Sequence, residues 1–176
     1  MRFLVSALLL IALAGPVQAA PGGAAVGEPA PDFVLPGPDG KDRGLAEFLG
    51  RPVVLSFWAS WCTPCIEELP LLDALHQRLD GEAMVLGLNI DENRSAADAL
   101  IRRSSLILPV LFDKKQSVVA RWKPPAMPTT YLLGADGTVL WFHKGALDEA
   151  QVKELETRVR ALFPSREPAK DPEEES

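Results

Sequence analysis

Mostly apolar runs alternate with amphipathic segments along the middle of the chain. Residues 52–59 and 83–90 are rich in aliphatic and β-branched side chains, which is typical of strands buried on both faces. Between them, residues 63–79 carry apolar side chains at helical spacing. This order predicts a strand, a helix and a second strand in one parallel sheet.

The remaining pattern extends this unit on both sides. An apolar stretch followed by the Gly-Pro-Asp-Gly turn at 37–40 predicts a small hairpin near the start. Further along, "SAADALIRR" predicts a helix, "LILPVLFD" a strand and residues 116–122 a short helix. The strands "TTYLL" and "TVLWFH" flank a turn at 134–137, and "LDEAQVKELETRVRALF" predicts a closing helix. We expect an α/β fold with helices on both faces of the sheet.

The ends of the chain differ from this middle part. Residues 1–19 combine an early arginine, an apolar run of about a dozen residues and small residues before a cleavage site, which predicts a signal peptide. The run is shorter than the ~20 residues of a typical membrane span, and an uncleaved anchor is the alternative. Residues 20–30 are expected to form a linker and residues 31–163 one domain. Residues 164–176 are expected to form a disordered acidic tail.

Composition narrows the function classes. The chain has 176 residues, 47% of them hydrophobic and 24% charged, as in soluble globular proteins. The formal net charge of −6 argues against nucleic acid or an anionic membrane as the main partner. The signal pattern predicts a periplasmic or otherwise extracytoplasmic location, where two thiols are expected to rest as a disulfide.

Both cysteines of the chain lie in "WCTPC", where the first long strand meets the first long helix. With Pro64 in the first helical turn, the Cys62 sulfur faces unpaired backbone N–H groups, which favour the thiolate. Cys65 lies three residues further on the same helical face and can attack Cys62 in a mixed disulfide. The pair is therefore predicted to be a catalytic dithiol.

Structural explanations of the pair are weaker. A disulfide closing so small a loop removes little chain entropy, and a domain of this size does not require one. A zinc site needs four ligands, and only His76 and His143 could join the cysteines. His76 lies roughly 16 Å along the helix from Cys65 at ~1.5 Å per residue. We expect no metal at the pair, although two unrelated core cysteines stay an alternative.

Two glutamates follow the pair on the same helix. Helical geometry places Glu67 in solvent and Glu68 at the margin of the apolar stripe. A half-buried carboxyl beside Cys65 would have a raised pKa and could take and return the proton of the resolving thiol. An exposed, inert Glu68 is the alternative.

A second candidate element is "PPAMPTTYLL". Pro128 precedes a strand and cannot donate to a ladder, so it marks an edge or a tight turn. A cis peptide there would leave the backbone of Met127 free to pair with an extended substrate; an ordinary trans turn is the alternative. We expect Trp61, Met127 and Pro128 to contact the substrate.

These residues together resemble exported thioredoxin-like thiol-disulfide oxidoreductases of the TlpA/ResA type, in the redoxin and AhpC/TSA group. The resemblance covers about residues 27–162 and rests on "GEPAPDFVLPGPDGK", "VVLSFWASWCTPCIEELP", "MPTTYLLGADGTV" and the helical segment around "DENRSAADALIRR". It implies a thioredoxin fold with an N-terminal β-hairpin extension and a central helical insertion.

The resemblance also implies roles. Cys62 would be the exposed nucleophile, Cys65 the resolving thiol and Pro128 a cis-proline facing the pair. Thioredoxins usually carry a buried aspartate where this chain has Ser56, whereas ResA-like members use a glutamate placed as Glu68.

Such proteins commonly reduce disulfides of exported proteins, including apocytochrome c and copper-site cysteines. They receive electrons from a membrane thiol carrier. We expect no cofactor besides the redox-active disulfide, no nucleic-acid partner and a monomer.

Two other functions stay open. Soft thiolates could bind Cu(I) for delivery, but copper-delivering relatives have three residues between the cysteines and a late histidine. A thiol peroxidase would resemble a Pro-x-x-x-Thr-x-x-Cys loop, whereas Leu55 and Ala59 stand at the Pro and Thr places here.

Overall fold

The protein folds around one five-stranded sheet with a separate two-stranded hairpin. The structure, a computed structural model, describes residues 23–163; the predicted signal peptide and acidic tail lie outside them. The strands are β1 Val34–Pro36, β2 Asp42–Gly44, β3 Val53–Trp58, β4 Met84–Asn89, β5 Val110–Phe112, β6 Thr129–Leu133 and β7 Val139–Lys144. The α-helices are α1 Thr63–Leu79, α2 Arg94–Arg103, α3 Ser117–Trp122 and α4 Glu149–Arg160.

The sheet order is β5-β4-β3-β6-β7, with β3 in the centre. Strands β3, β4 and β5 run parallel, β6 runs antiparallel to β3, and β7 runs antiparallel to β6. β1 and β2 form the predicted N-terminal hairpin. Helix α2 and strand β5 lie between β4 and α3, where the helical insertion was expected. The predicted α/β class is confirmed.

The central strand supplies one hydrophobic cluster on each face of the sheet. Val53, Leu55 and Phe57 belong to a cluster with residues of α2, α3 and the hairpin. Val54, which points to the opposite face, belongs to a cluster with residues of α1 and α4. Helices therefore cover both faces, as the sequence predicts, and both faces of β3 are buried.

Helix α1 has the predicted bounds. Cys62 is its N-cap residue and Pro64 lies in its first turn, where a missing N–H costs nothing. The helix continues through Pro70, which is exposed. It ends at Asp80, whose left-handed backbone has φ 40°.

The strand predicted over 106–113 is shorter than expected. Only Val110–Phe112 pairs with β4. Pro109 has no N–H to donate, and the N–H groups of Ile107 and Leu108 donate to the Asp73 carboxylate, both at 2.7 Å. The carboxylate on α1 therefore takes the donors that a longer strand would need.

The described part of the predicted linker, residues 23–30, is hydrogen-bonded to the domain. The N–H of Ala24 donates to the Trp122 carbonyl, and that of Gly27 to the Val139 carbonyl at 2.8 Å. The N–H of Val139 returns a bond to the Glu28 carbonyl at 2.9 Å. This arm adds to the outer edge of β7 because main-chain pairing needs no large side chains. Within residues 23–163, no helix is both long and apolar enough to cross a membrane.

Candidate active site

The two cysteines form a disulfide at the start of α1. The Cys62–Cys65 bond joins Cα atoms 5.3 Å apart. The N–H of Cys65 donates to the Cys62 Sγ atom at 3.3 Å. The sequence prediction that the Cys62 sulfur meets a free N–H of the first helical turn is therefore confirmed. Such a donor stabilises negative charge on this sulfur once the bond is reduced.

The cysteines are less accessible than the resemblance implied. Cys62 is 6% exposed and Cys65 1% exposed, so "exposed nucleophile" overstates the access to Cys62. Both residues belong to the larger hydrophobic cluster, which explains their burial. Cys62 still has the greater access, in keeping with attack on a substrate. Its neighbour Trp61 is 66% exposed and offers an aromatic surface beside the sulfur.

A buried carboxylate that the sequence analysis missed anchors the loop before Cys62. Asp91 follows β4 and is 4% exposed. Its two oxygens accept the N–H of Ser60 at 3.2 and 3.1 Å, and one of them also accepts the Asn89 side-chain N–H at 3.0 Å. Polar residues directly after a buried parallel strand were the available signal.

Glu68 lies one turn below Cys65 and is fully buried, at 1% exposure. The helical pattern placed it only at the margin of the apolar stripe; the strands beneath α1 and the segment after β7 complete its enclosure. Its Oε1 atom accepts hydrogen bonds from the Thr130 hydroxyl at 2.8 Å and the Ser56 hydroxyl at 3.4 Å. Its Oε2 atom accepts the N–H of Leu147 at 3.3 Å. Glu67 is exposed, as predicted.

This environment changes the acidity of Glu68. Burial raises the pKa of its carboxyl to about 7, and the hydrogen bonds from Thr130, Leu147 and Ser56 oppose part of that shift. A carboxyl with such a pKa exists in both forms near neutral pH. It can therefore accept a proton and return it within one reaction cycle.

The Met127–Pro128 peptide bond is cis, in agreement with the resemblance. The Pro128 carbonyl accepts the N–H of Gly145 at 2.9 Å, and the Thr129 hydroxyl donates to the Ala126 carbonyl at 2.8 Å. Met127 is half-buried and packs against the cluster that contains both cysteines. Among residues 23–163, nothing hydrogen bonds to its N–H or C=O. Both groups therefore keep their hydrogen-bonding capacity.

The histidines lie apart from this arrangement. His76 is half-buried on α1, and His143 stacks on Trp141 on β7, with ring centroids 6.0 Å apart. In the part of the chain that the structure describes, no three His, Cys, Asp or Glu side chains cluster as metal ligands.

Comparison with known proteins identifies the family of the chain. A sequence model of the AhpC/TSA family matches residues 26–142. The thiol-disulfide oxidoreductase ResA of Geobacillus thermodenitrificans is 30% identical over 159 residues, which cover 88% of this chain and 91% of that protein. ResA of Bacillus thuringiensis subsp. konkukian is 31% identical over 130 residues, 73% of this chain and 75% of that protein.

Solved structures show the same fold. The structure described as thiol:disulfide interchange protein DsbE of Chlorobium tepidum has a TM-score of 0.74 at 30% identity, covering 80% of this chain and 99% of that one. A secreted disulfide oxidoreductase of Mycobacterium tuberculosis has a TM-score of 0.64 at 26% identity, covering 73% and 95%. The chain belongs to the AhpC/TSA family and is a thiol-disulfide oxidoreductase with a thioredoxin-like fold.

Proposed function

We propose that this oxidoreductase reduces disulfides of extracytoplasmic proteins. One observation carries the proposal: the Cys62–Cys65 pair lies at a helix start with a buried acid, Glu68, one turn beneath it. This arrangement supports the roles of nucleophile for Cys62, resolving thiol for Cys65 and proton acceptor for Glu68.

The reaction has two steps. The Cys62 thiolate attacks one sulfur of a substrate disulfide, forms a mixed disulfide and releases the first substrate thiolate. Glu68 then accepts the Cys65 proton, and the Cys65 thiolate attacks the Cys62 sulfur. The second substrate thiolate leaves, the Cys62–Cys65 disulfide forms, and two electrons have passed to the substrate.

Substrate recognition uses the surface beside Cys62. The N–H and C=O of Met127 can pair with an extended segment that carries the substrate disulfide. The exposed Trp61 ring supplies apolar contact on the same loop as Cys62. Main-chain pairing of this kind suits cysteine motifs in unfolded segments, such as those of apocytochrome c or a copper site.

The location and partners follow from the sequence pattern. The predicted signal peptide supports export, as does the likeness to a secreted mycobacterial oxidoreductase. Each turnover leaves the pair oxidised, so a donor must return two electrons; a membrane thiol carrier fits that need. We propose that the protein acts as a monomer with no further cofactor.

The reduction potential of the pair tests the direction. Purified mature protein is equilibrated with dithiol buffers of different reduction potential, and the oxidised fraction of the protein is measured in each buffer. A value near the roughly −270 mV of thioredoxin supports a reductant. A value near the roughly −120 mV of a strong oxidant reverses the proposed direction, and no reversible two-electron couple refutes the function.

Trapping tests the order of attack and identifies the substrate. A Cys65→Ser variant keeps the nucleophile but lacks the resolving thiol, so it should accumulate mixed disulfides with exported proteins. The matched Cys62→Ser variant should trap none and should not turn over a disulfide peptide. Equal trapping by both variants would contradict the assigned roles.

The same protein separates the two alternative functions. Tight Cu(I) binding by the reduced pair would favour the delivery module, and rapid peroxide consumption would favour a thiol peroxidase. Disulfide reduction without tight Cu(I) binding and without rapid peroxide consumption supports the oxidoreductase function over both alternatives.

A further inference from the structure

Thr130 makes the shortest hydrogen bond to Glu68. Its hydroxyl donates to the Oε1 atom at 2.8 Å, whereas the Ser56 hydroxyl and the Leu147 N–H lie at 3.4 and 3.3 Å from their acceptor oxygens. Strength falls with distance, and bonds to a charged acceptor are short. Thr130 is therefore the dominant donor to this carboxylate.

Thr130 lies between the buried acid and the cis peptide. It is fully buried on β6, opposite Ser56 of β3, so both hydroxyls lie on the sheet face beneath α1. It also lies two residues after Pro128, on the strand that begins directly after the cis peptide. The peptide proposed to face the substrate and the donor to the buried acid are therefore close together along the chain.

The donors around Glu68 are neutral. The titratable side chains on the surrounding elements include Cys65, Glu67, Asp73, His76 and Arg78 on α1, Tyr131 on β6, His143 and Lys144 on β7, and Asp148 after it. Tyr131 belongs to the cluster on the other face, and among the described residues none of these side chains hydrogen bonds to Glu68. The carboxylate therefore depends on hydrogen bonds for its stabilisation.

We propose that Thr130 is the positioning residue of Glu68: its hydroxyl fixes the Oε1 atom and stabilises the ionised carboxylate that accepts the Cys65 proton. Without this bond the buried carboxyl holds its own proton more tightly and is a poorer acceptor at neutral pH. The inference rests on the oxidoreductase function proposed for the pair, and concerns its acid–base group.

The direct test follows the Glu68 carboxyl carbon by NMR in protein labelled with ¹³C-glutamate, with the signal assigned by its loss in Glu68→Gln. The Thr130→Val variant keeps the side-chain shape and removes the hydroxyl. Its Glu68 titration midpoint should rise by about one pH unit, because a bond to a charged group is worth at least that much. The acid limb of the pH profile for mixed-disulfide resolution should move by the same amount.

Neighbouring variants separate this role from packing. Thr130→Ser restores the hydroxyl and should return the midpoint to that of the wild type. Thr129→Val removes an equally buried hydroxyl whose bond goes to the Ala126 carbonyl, and should leave the Glu68 midpoint unchanged. If Thr130→Val does not fold, Thr130→Ala against Thr129→Ala gives the same comparison.

The results that would overturn the role of Thr130 differ from the results that would overturn the oxidoreductase function. An unchanged midpoint in Thr130→Val, or an equal shift in Thr129→Val, overturns the role of Thr130 while a measured two-electron couple keeps the function intact. A missing couple overturns the function, and the Glu68 titration is still readable.

Discussion

Glu68 in α1 and Asp113 before α3 are both 1% exposed, yet their partners differ in kind. Asp113 accepts three backbone N–H groups from the first turn of α3, at 2.8 to 3.0 Å. Glu68 accepts two hydroxyls and one backbone N–H, and only the Thr130 bond is shorter than 3.3 Å. Equal burial therefore does not mean equal compensation of charge.

The difference distinguishes a carboxylate held mainly by helix N–H groups from one held mainly by hydroxyls. Three donors of Asp113 are N–H groups of the helix backbone, which need an acceptor whatever the redox state of the protein; the fourth is the Ser117 hydroxyl at 3.4 Å. The hydroxyls near Glu68 can rotate and donate elsewhere, and they leave its burial partly uncompensated. We expect substitutions at the two positions to affect different properties.

The largest expected effect is on catalysis. Glu68→Gln keeps the shape of the side chain but cannot accept a proton, so resolution of a mixed disulfide should slow by about 10²-fold. Stopped-flow kinetics with a disulfide peptide measures this step. Asp113→Asn serves as the control and should keep the wild-type rate per folded molecule; equal losses in both variants would remove the distinction.

Stability should depend on pH through Glu68. Its pKa is about 7 in the folded protein, raised from 4.5 by burial. The ionised form is the disfavoured one, so the free energy of unfolding is unaffected below about 4.5 and falls as the pH rises towards 7. The loss above 7 should reach about 3 kcal/mol.

Urea unfolding of the wild type and of Glu68→Gln is measured from about pH 4 to about pH 8 in steps of about one pH unit. The difference in the free energy of unfolding between the two proteins isolates the contribution of Glu68 ionisation. The difference should grow with pH up to about 7 and then level off. A difference that stays constant would contradict the raised pKa.

Asp113 should matter for stability through its hydrogen bonds to α3. Asp113→Ala leaves the N–H groups of the first α3 turn without their acceptor, and should lower the free energy of unfolding by about 2 kcal/mol. Urea unfolding at pH 7 measures it. A loss accompanied by a changed Glu68 titration would show that the two sites are coupled.

The smallest expected effect is at Ser56. Its hydroxyl lies 3.4 Å from the Glu68 Oε1 atom, so Ser56→Ala should raise the Glu68 titration midpoint by only ~0.3 pH units, less than loss of the Thr130 bond. The NMR titration of the Glu68 carboxyl carbon distinguishes the shift in Ser56→Ala from the shift in Thr130→Val. A shift as large as that of Thr130→Val would show that Ser56 is an equal donor.

Much of the fold was predictable because it depends on local patterns. Apolar runs and helical spacing gave the long strands and α1, and the cysteine spacing at a strand-to-helix turn identified the redox pair. The full burial of Glu68 was not predictable in this way. Its partners Thr130 and Leu147 lie 62 and 79 positions further along the chain. The register of β6 on β3 brings Thr130 to Glu68, and the segment after β7 brings Leu147.

The arm over residues 23–30 escaped prediction for a different reason. Glycine, alanine and proline are typical of linkers, and the bonds that hold this segment use backbone atoms that every sequence possesses. The hydrogen bond from Ser60 to Asp91 was hard to predict for both reasons. It uses a backbone N–H, and its acceptor side chain lies 31 positions away along the chain.

The arm also has a consequence for solubility. Strand β7 lies at one side of the sheet, and an uncovered edge strand offers unpaired main-chain groups to other molecules. Gly27 and Glu28 occupy those groups at Val139, where a second chain would otherwise add. A protein shortened to begin at residue 31 should therefore leave the Val139 main-chain groups free to pair with another chain, even with its dithiol intact.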